Sequence, residues 1–67
     1  MSDDLILDPE QRRRLRHDLR TPLTIVAGFA EVLAADRPIS DADRREFATR
    51  IQDAAAEIRR MIDSTLE

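Results

Sequence analysis

The residues most able to do chemistry lie in one short stretch, Arg16-His17-Asp18-Leu19-Arg20-Thr21-Pro22-Leu23. It holds the only histidine of the chain, an acid directly after it, a threonine four positions on and a proline in mid-pattern. Imidazole is the side chain whose charge changes near neutral pH, so His17 is the natural candidate for a reacting group. One histidine and no cysteine exclude a zinc site built from the chain's own ligands, and exclude disulfides. Whether His17 faces a core or solvent depends on the elements that carry it.

Those elements are two helices. Asp8-Pro9-Glu10-Gln11 reads as a helix start, with Asp8 as cap, Pro9 at the first helical position and Gln11 placed to close a capping box. From there Leu15, Leu19, Pro22, Val26, Phe29 and Leu33 follow at spacings of 4, 3, 4, 3, 4, a helical and not a strand period. The run predicts helix over about 9–35, a rod of roughly 40 Å at about 1.5 Å per residue. Pro38 disfavours helix at Arg37, which predicts a loop over 36–40. Ser40 then caps a second helix over 41–66, with Asp41 and Asp43 near the positive end of its dipole. Its apolar positions Phe47, Ile51, Ala54, Ile58, Met61 and Thr65 repeat the 4, 3 spacing, with Ile62 and Leu66 widening the stripe. So short a connection makes the helices antiparallel. Residues 1–8 form a short lead-in and 9–67 a single domain.

The chain has 67 residues, so a core of its own is marginal and oligomerisation is the remaining stabiliser. Leu23, Ile25, Ala30 and Val32 flank the first stripe, an arc wider than one partner helix covers. The expected fold is therefore all-α: an antiparallel two-helix hairpin that dimerises into a four-helix bundle.

With Leu15, Pro22 and Phe29 at heptad position d and Leu19, Val26 and Leu33 at a, His17 falls at f. That position points away from the seam, into water. An ordinary solvated histidine among arginines has the same address. The neighbours separate the two readings. Thr21, Thr24, Gly28 and Glu31 follow His17 along the outer face, whereas the second helix carries Arg44, Arg45, Glu57, Arg59 and Arg60. A strip of small side chains beside an imidazole suits docking of another protein. Pro22 removes one N–H and collides with the carbonyl of Asp18. Thr21 could cap a new helix there, but the spacing runs on through Pro22, so a continuous helix kinked at Pro22 is expected.

His17-Asp18-Leu19-Arg20-Thr21-Pro22-Leu23 resembles the H-box of sensor histidine kinases, in the dimerisation and histidine phosphotransfer domain of HisKA type. The resemblance covers about 10–66. It implies that His17 is the phosphoacceptor, attacking the γ-phosphate of ATP through its ε nitrogen. Imidazole, with an ordinary pKa of about 6.5, is largely neutral at pH 7 and so suits this. It implies that Asp18 accepts a hydrogen bond from the other ring nitrogen. The phosphoryl group passes to an aspartate of a response regulator. Asp18-Leu19-Arg20-Thr21 fits the family's pattern for dephosphorylating that regulator, with Thr21 positioning a water. Arg16 and Arg20 could hold phosphate charge or be solvated surface. Thr24 and Gly28 are the expected regulator contacts.

The family's ATP-binding domain has no counterpart here: its asparagine box and glycine-rich lid are missing, and Gly28 is the only glycine. This domain is expected to bind no cofactor and not to autophosphorylate alone, ATP and magnesium being used by the kinase domain of the same parent protein. Its expected partners are a second copy, that kinase domain and a receiver domain. The alternative is a non-catalytic four-helix-bundle dimerisation module. Nucleic-acid binding fits poorly, because net charge is −3 and the arginines from Arg12 to Arg20 are spread around the helix without an aromatic to stack on bases. No apolar run spans a bilayer and Met1-Ser2-Asp3-Asp4 is acidic where a signal peptide is basic, so a cytoplasmic domain is expected, whose parent can be membrane-anchored.

Overall fold

The computed structural model describes residues 7–66. Most of the expected lead-in, residues 1–6, lies outside the described residues, as do Glu67 and the side chain of Leu66. Leu7, for which the sequence offers no cue, is buried. Two helices follow, α1 over Pro9–Ala34 and α2 over Asp41–Leu66, and they pack against each other along their length.

The starts of both helices are fixed by side chains. Asp8 accepts the Gln11 N–H at 2.7 Å, and the Gln11 side-chain oxygen accepts the Asp8 N–H at 3.0 Å. This reciprocal box satisfies two backbone donors that a helix start otherwise leaves bare. At α2 the Ser40 hydroxyl accepts the Asp43 N–H at 3.0 Å. α1 ends at Ala34, one residue short of the expected end. Ala35 is already extended, and its N–H is shared between the carbonyls of Glu31 and Val32 at 3.1 and 3.3 Å. The chain then reverses over residues 35–40 with no positive φ among the described residues.

The seam follows the heptad. Leu15, Leu19, Val26, Phe29 and Leu33 of α1 and Phe47, Ile51, Ile58 and Met61 of α2 are half-buried, and Pro22 and Ala54 are buried. Near the loop the only two aromatic rings, Phe29 and Phe47, stack at 5.2 Å between centroids. Thr65 differs from expectation. It occupies the last seam position but stays exposed, at the rim of a cleft where the hairpin opens.

The two sides of the hairpin differ. Gln11 and Asp18, at g on α1, share a cleft with Ser64, at g on α2. Val32, at g on α1, shares another with Asp43, at g on α2. The g positions of both helices therefore lie on one side, and the e positions on the other. The e side is formed by Arg16, Leu23 and Ala30 of α1 with Ala48, Ala55 and Ile62 of α2, all exposed. Leu23 is 51% and Ile62 36% exposed, large values for side chains that gain by leaving water. One hairpin leaves this side wet.

Candidate functional site

α1 carries every residue that the sequence singles out for chemistry. The His17 side chain is 84% exposed on the face away from α2. Its orientation follows from the register: with Leu15 and Leu19 held in the seam, the residue midway between them is turned outward. His17 Nδ1 lies 3.4 Å from Asp18 Oδ1, the long end of hydrogen-bond distance. The other ring nitrogen, Nε2, makes no hydrogen bond among the described residues. Asp18 is itself half-exposed and borders the cleft at the open end of the hairpin. That cleft, of about 310 Å³, is walled by Gln11, Arg14, Leu15 and Asp18 and closed from α2 by Met61, Ser64 and Thr65.

Thr21 is exposed one turn beyond His17. Its hydroxyl makes no hydrogen bond among the described residues, whereas Thr49 of α2 donates to the Arg45 carbonyl at 2.9 Å, the usual refuge of a helical threonine. Pro22 is fully buried inside a helix that runs unbroken from Pro9 to Ala34, so no second cap forms at Thr21. Because Pro22 has no N–H, the Asp18 carbonyl lacks its helical donor. Arg16 and Arg20 are exposed beside the histidine.

Thr24 and Gly28 come together with Ile25, Phe29 and Val32 around a shallow, largely apolar depression of about 280 Å³. A methyl group built on Gly28 meets nothing within 4 Å, so no neighbour in the hairpin requires a glycine there. The sequence marks Ile25 and Val32 only as flanks of the seam. Their heptad spacing with Asp18 (18, 25, 32) is the signal that places them on one side with the acid. Among the described residues no group of three or more His, Cys, Asp or Glu could hold a metal ion, and no helix is long and apolar enough to cross a membrane.

Outward imidazole, adjoining carboxylate and unoccupied hydroxyl one turn on form a group that a second protein can reach without any part of the hairpin moving. The model of the His Kinase A (phospho-acceptor) domain matches residues 7–67. A sensor histidine kinase of Bacillus subtilis (strain 168), YcbM, is 32% identical to the chain over 50 residues, which are 75% of this chain and 16% of that protein. The chain thus spans about a sixth of the length of the curated relative it matches. No solved structure matches it.

Proposed function

The chain belongs to the His kinase A phospho-acceptor family, and on that premise we propose that His17 relays a phosphoryl group from ATP to an aspartate of a response regulator. The observation that carries the reading is the pairing of His17 Nδ1 with Asp18, which favours the proton on Nδ1 and leaves the Nε2 lone pair as the nucleophile. Nε2 forms a bond to the γ-phosphorus as the bond from that phosphorus to the β–γ bridging oxygen breaks and ADP departs. The ring gains positive charge in the attack, and Asp18 takes up the Nδ1 proton. In the second step a carboxylate oxygen of the regulator attacks the same phosphorus, the N–P bond breaks and the ring recovers its proton. The nucleotide is supplied by a separate ATP-binding domain of the parent protein.

Thr21 serves the reverse duty. Its unoccupied hydroxyl, one turn from His17, can hold the water that hydrolyses the regulator's acyl phosphate. Pro22, by removing a hydrogen bond below the site, gives α1 a bending point there. Thr24, Gly28 and the apolar depression around them take the regulator's docking surface. The e side, with Leu23, Ala30, Ala48, Ala55 and Ile62, is covered by a second copy of the chain, giving the four-helix bundle.

One experiment addresses both directions. The chain is incubated with its cognate kinase core and γ-labelled ATP, and the pre-phosphorylated regulator is then offered to the unlabelled chain. Acid-labile label is expected on the wild type and on Thr21→Ala, and none on His17→Gln. Loss of the regulator's phosphate is expected to slow about 100-fold in Thr21→Ala, the lower end of the range for a lost acid–base group. Label retained by His17→Gln would sink the phosphoacceptor role. Unchanged hydrolysis with Thr21→Ala would remove the threonine from the mechanism.

A further inference from the structure

Resting on that reading, we propose that Arg13, Arg14 and Arg20 form a basic collar around His17 that draws an acidic protein surface, that of the aspartate-bearing partner, onto the histidine. At 3.6 residues per turn, side chains 4 and 3 positions before His17 and 3 after it project within about 60° of it around the helix. All three are exposed. None makes an ion pair among the described residues; on α2 Arg44 and Arg50 meet Asp41 at 2.9 Å and Glu46 at 3.8 Å, and the unpaired Arg45, Arg59 and Arg60 are interspersed with Asp53, Glu57 and Asp63. Asp18 is the only acid between Gln11 and Arg20, and its Oδ1 already faces the histidine ring. The collar is therefore a concentrated positive field at the point where the reaction occurs.

The chain as a whole carries a net charge of −3, so the rest of the molecule repels an acidic partner. Attraction at one end and repulsion elsewhere orient the encounter as well as speed it, the condition under which steering raises association rates by about 10- to 1,000-fold. A nucleic acid is a poorer occupant. The charge encircles one residue instead of tracking a backbone, and both aromatic rings are engaged in the seam. A lipid surface needs apolar side chains beside the basic ones; Leu15 and Leu19 are half-buried between the helices, and the exposed Leu23 stands about 120° around the helix from His17.

The test starts from chain labelled at His17 by the kinase core and measures transfer to the receiver domain across a salt series. For Arg13→Glu/Arg14→Glu, kcat/KM at low salt is expected to fall at least tenfold and its salt dependence to flatten. The rate at saturating receiver is expected to match the wild type, and the gap to close near 1 M salt, where the screening length is about 3 Å. Arg59→Glu/Arg60→Glu on α2 is expected to change kcat/KM less than twofold. A labelled chain whose kcat/KM is the same in wild type and the α1 variant, or whose loss persists at high salt, overturns the collar alone. A chain that takes no label at His17 overturns the phosphoacceptor reading and the collar with it. Co-sedimentation with phosphatidylserine vesicles, or binding to duplex DNA, that the α1 variant abolishes while kcat/KM holds would assign the arginines to that other ligand and overturn the proposal.

Discussion

Both helices run 26 residues and share one apolar spacing, yet their outer faces are built on opposite terms. α2 settles part of its polar groups within itself, at its N-terminal half, while Arg45, Arg59 and Arg60 make no ion pair among the described residues. Arg44 pairs with Asp41, Arg50 with Glu46, and Thr49 donates to the carbonyl of Arg45. α1 settles few. It holds an outward imidazole, a threonine hydroxyl without a partner, the guanidinium groups of Arg13, Arg14 and Arg20 without acids, a buried proline that strips a carbonyl of its donor and a glycine that nothing crowds, all among the described residues. Surface ion pairs add little stability, on the order of 0–1 kcal/mol each, so α2 is not thereby made rigid. The difference lies in what each helix leaves available. α2 spreads its open groups along a solvated back, and α1 gathers its own around one exposed imidazole, where another molecule can reach them.

The largest expected effect of breaking this contrast is at Asp18. Asp18→Asn keeps the shape and removes the base beside Nδ1, so labelling of His17 is expected to fall about 100-fold, within the range for a lost acid–base group. The helix content and melting temperature are expected to stay close to wild type, because Asp18 is exposed and its one side-chain bond among the described residues is to His17. The same amide swap on α2, Glu46→Gln, is expected to leave labelling unchanged. Equal labelling in the two variants would show that α1's acid is as ornamental as α2's.

Next in size is the contrast between the two sides of the hairpin. Leu23→Glu or Ile62→Glu places a carboxylate on the apolar e side, where a second copy would have to bury it. An unpaired buried charge costs at least about 2 kcal/mol, which raises the dimer dissociation constant about 30-fold or more. Ile25→Glu adds the same charge at a residue 38% exposed on the g side, and is expected to leave the sedimentation behaviour unchanged. If Ile25→Glu dissociates the dimer and Ile62→Glu does not, the sides are assigned the wrong way round.

That side assignment also marks where the sequence stops being readable. Caps and seam are local: Asp8 with Gln11, Ser40 with Asp43 and the alternation of 4 and 3 depend on residues within a turn or two of each other, and the structure carries them out except at Thr65, where the hairpin opens. The outward direction of His17 follows from the same register. Which flank of α1 sits beside which flank of α2 is set by how the hairpin closes in three dimensions, and no pair of neighbouring residues encodes it. Arg14 and Asp18 sharing a cleft with Ser64 is of that kind. So is the isolation of Arg13 and Arg20, because an absent ion pair depends on every acid that might have reached them. The end of α1 near Ala35 is local too: Ala35 is the C-cap, already extended, ahead of the restriction that Pro38 places on Arg37.

Gly28 gives the smallest effect and the most direct measure of what α1 surrenders. A glycine inside a helix costs about 0.5–1 kcal/mol relative to alanine, because the unfolded chain loses more freedom and no side chain is gained. No contact in the hairpin offsets that cost, since a methyl group at Gly28 would stand in open space. Gly28→Ala is therefore expected to raise the melting temperature by a few degrees, about 4–8 °C per kcal/mol for a domain of this size. Ala56→Gly, at an exposed outer position of α2, is expected to lower it by a similar amount. The same methyl group would fill part of the depression bounded by Thr24, Ile25, Phe29 and Val32, so transfer to the receiver is expected to slow while labelling of His17 holds. A variant that is more stable and equally fast in transfer would show that nothing docks at that depression. A variant that is no more stable would mean that the second copy, and not the receiver, already occupies the space above Gly28.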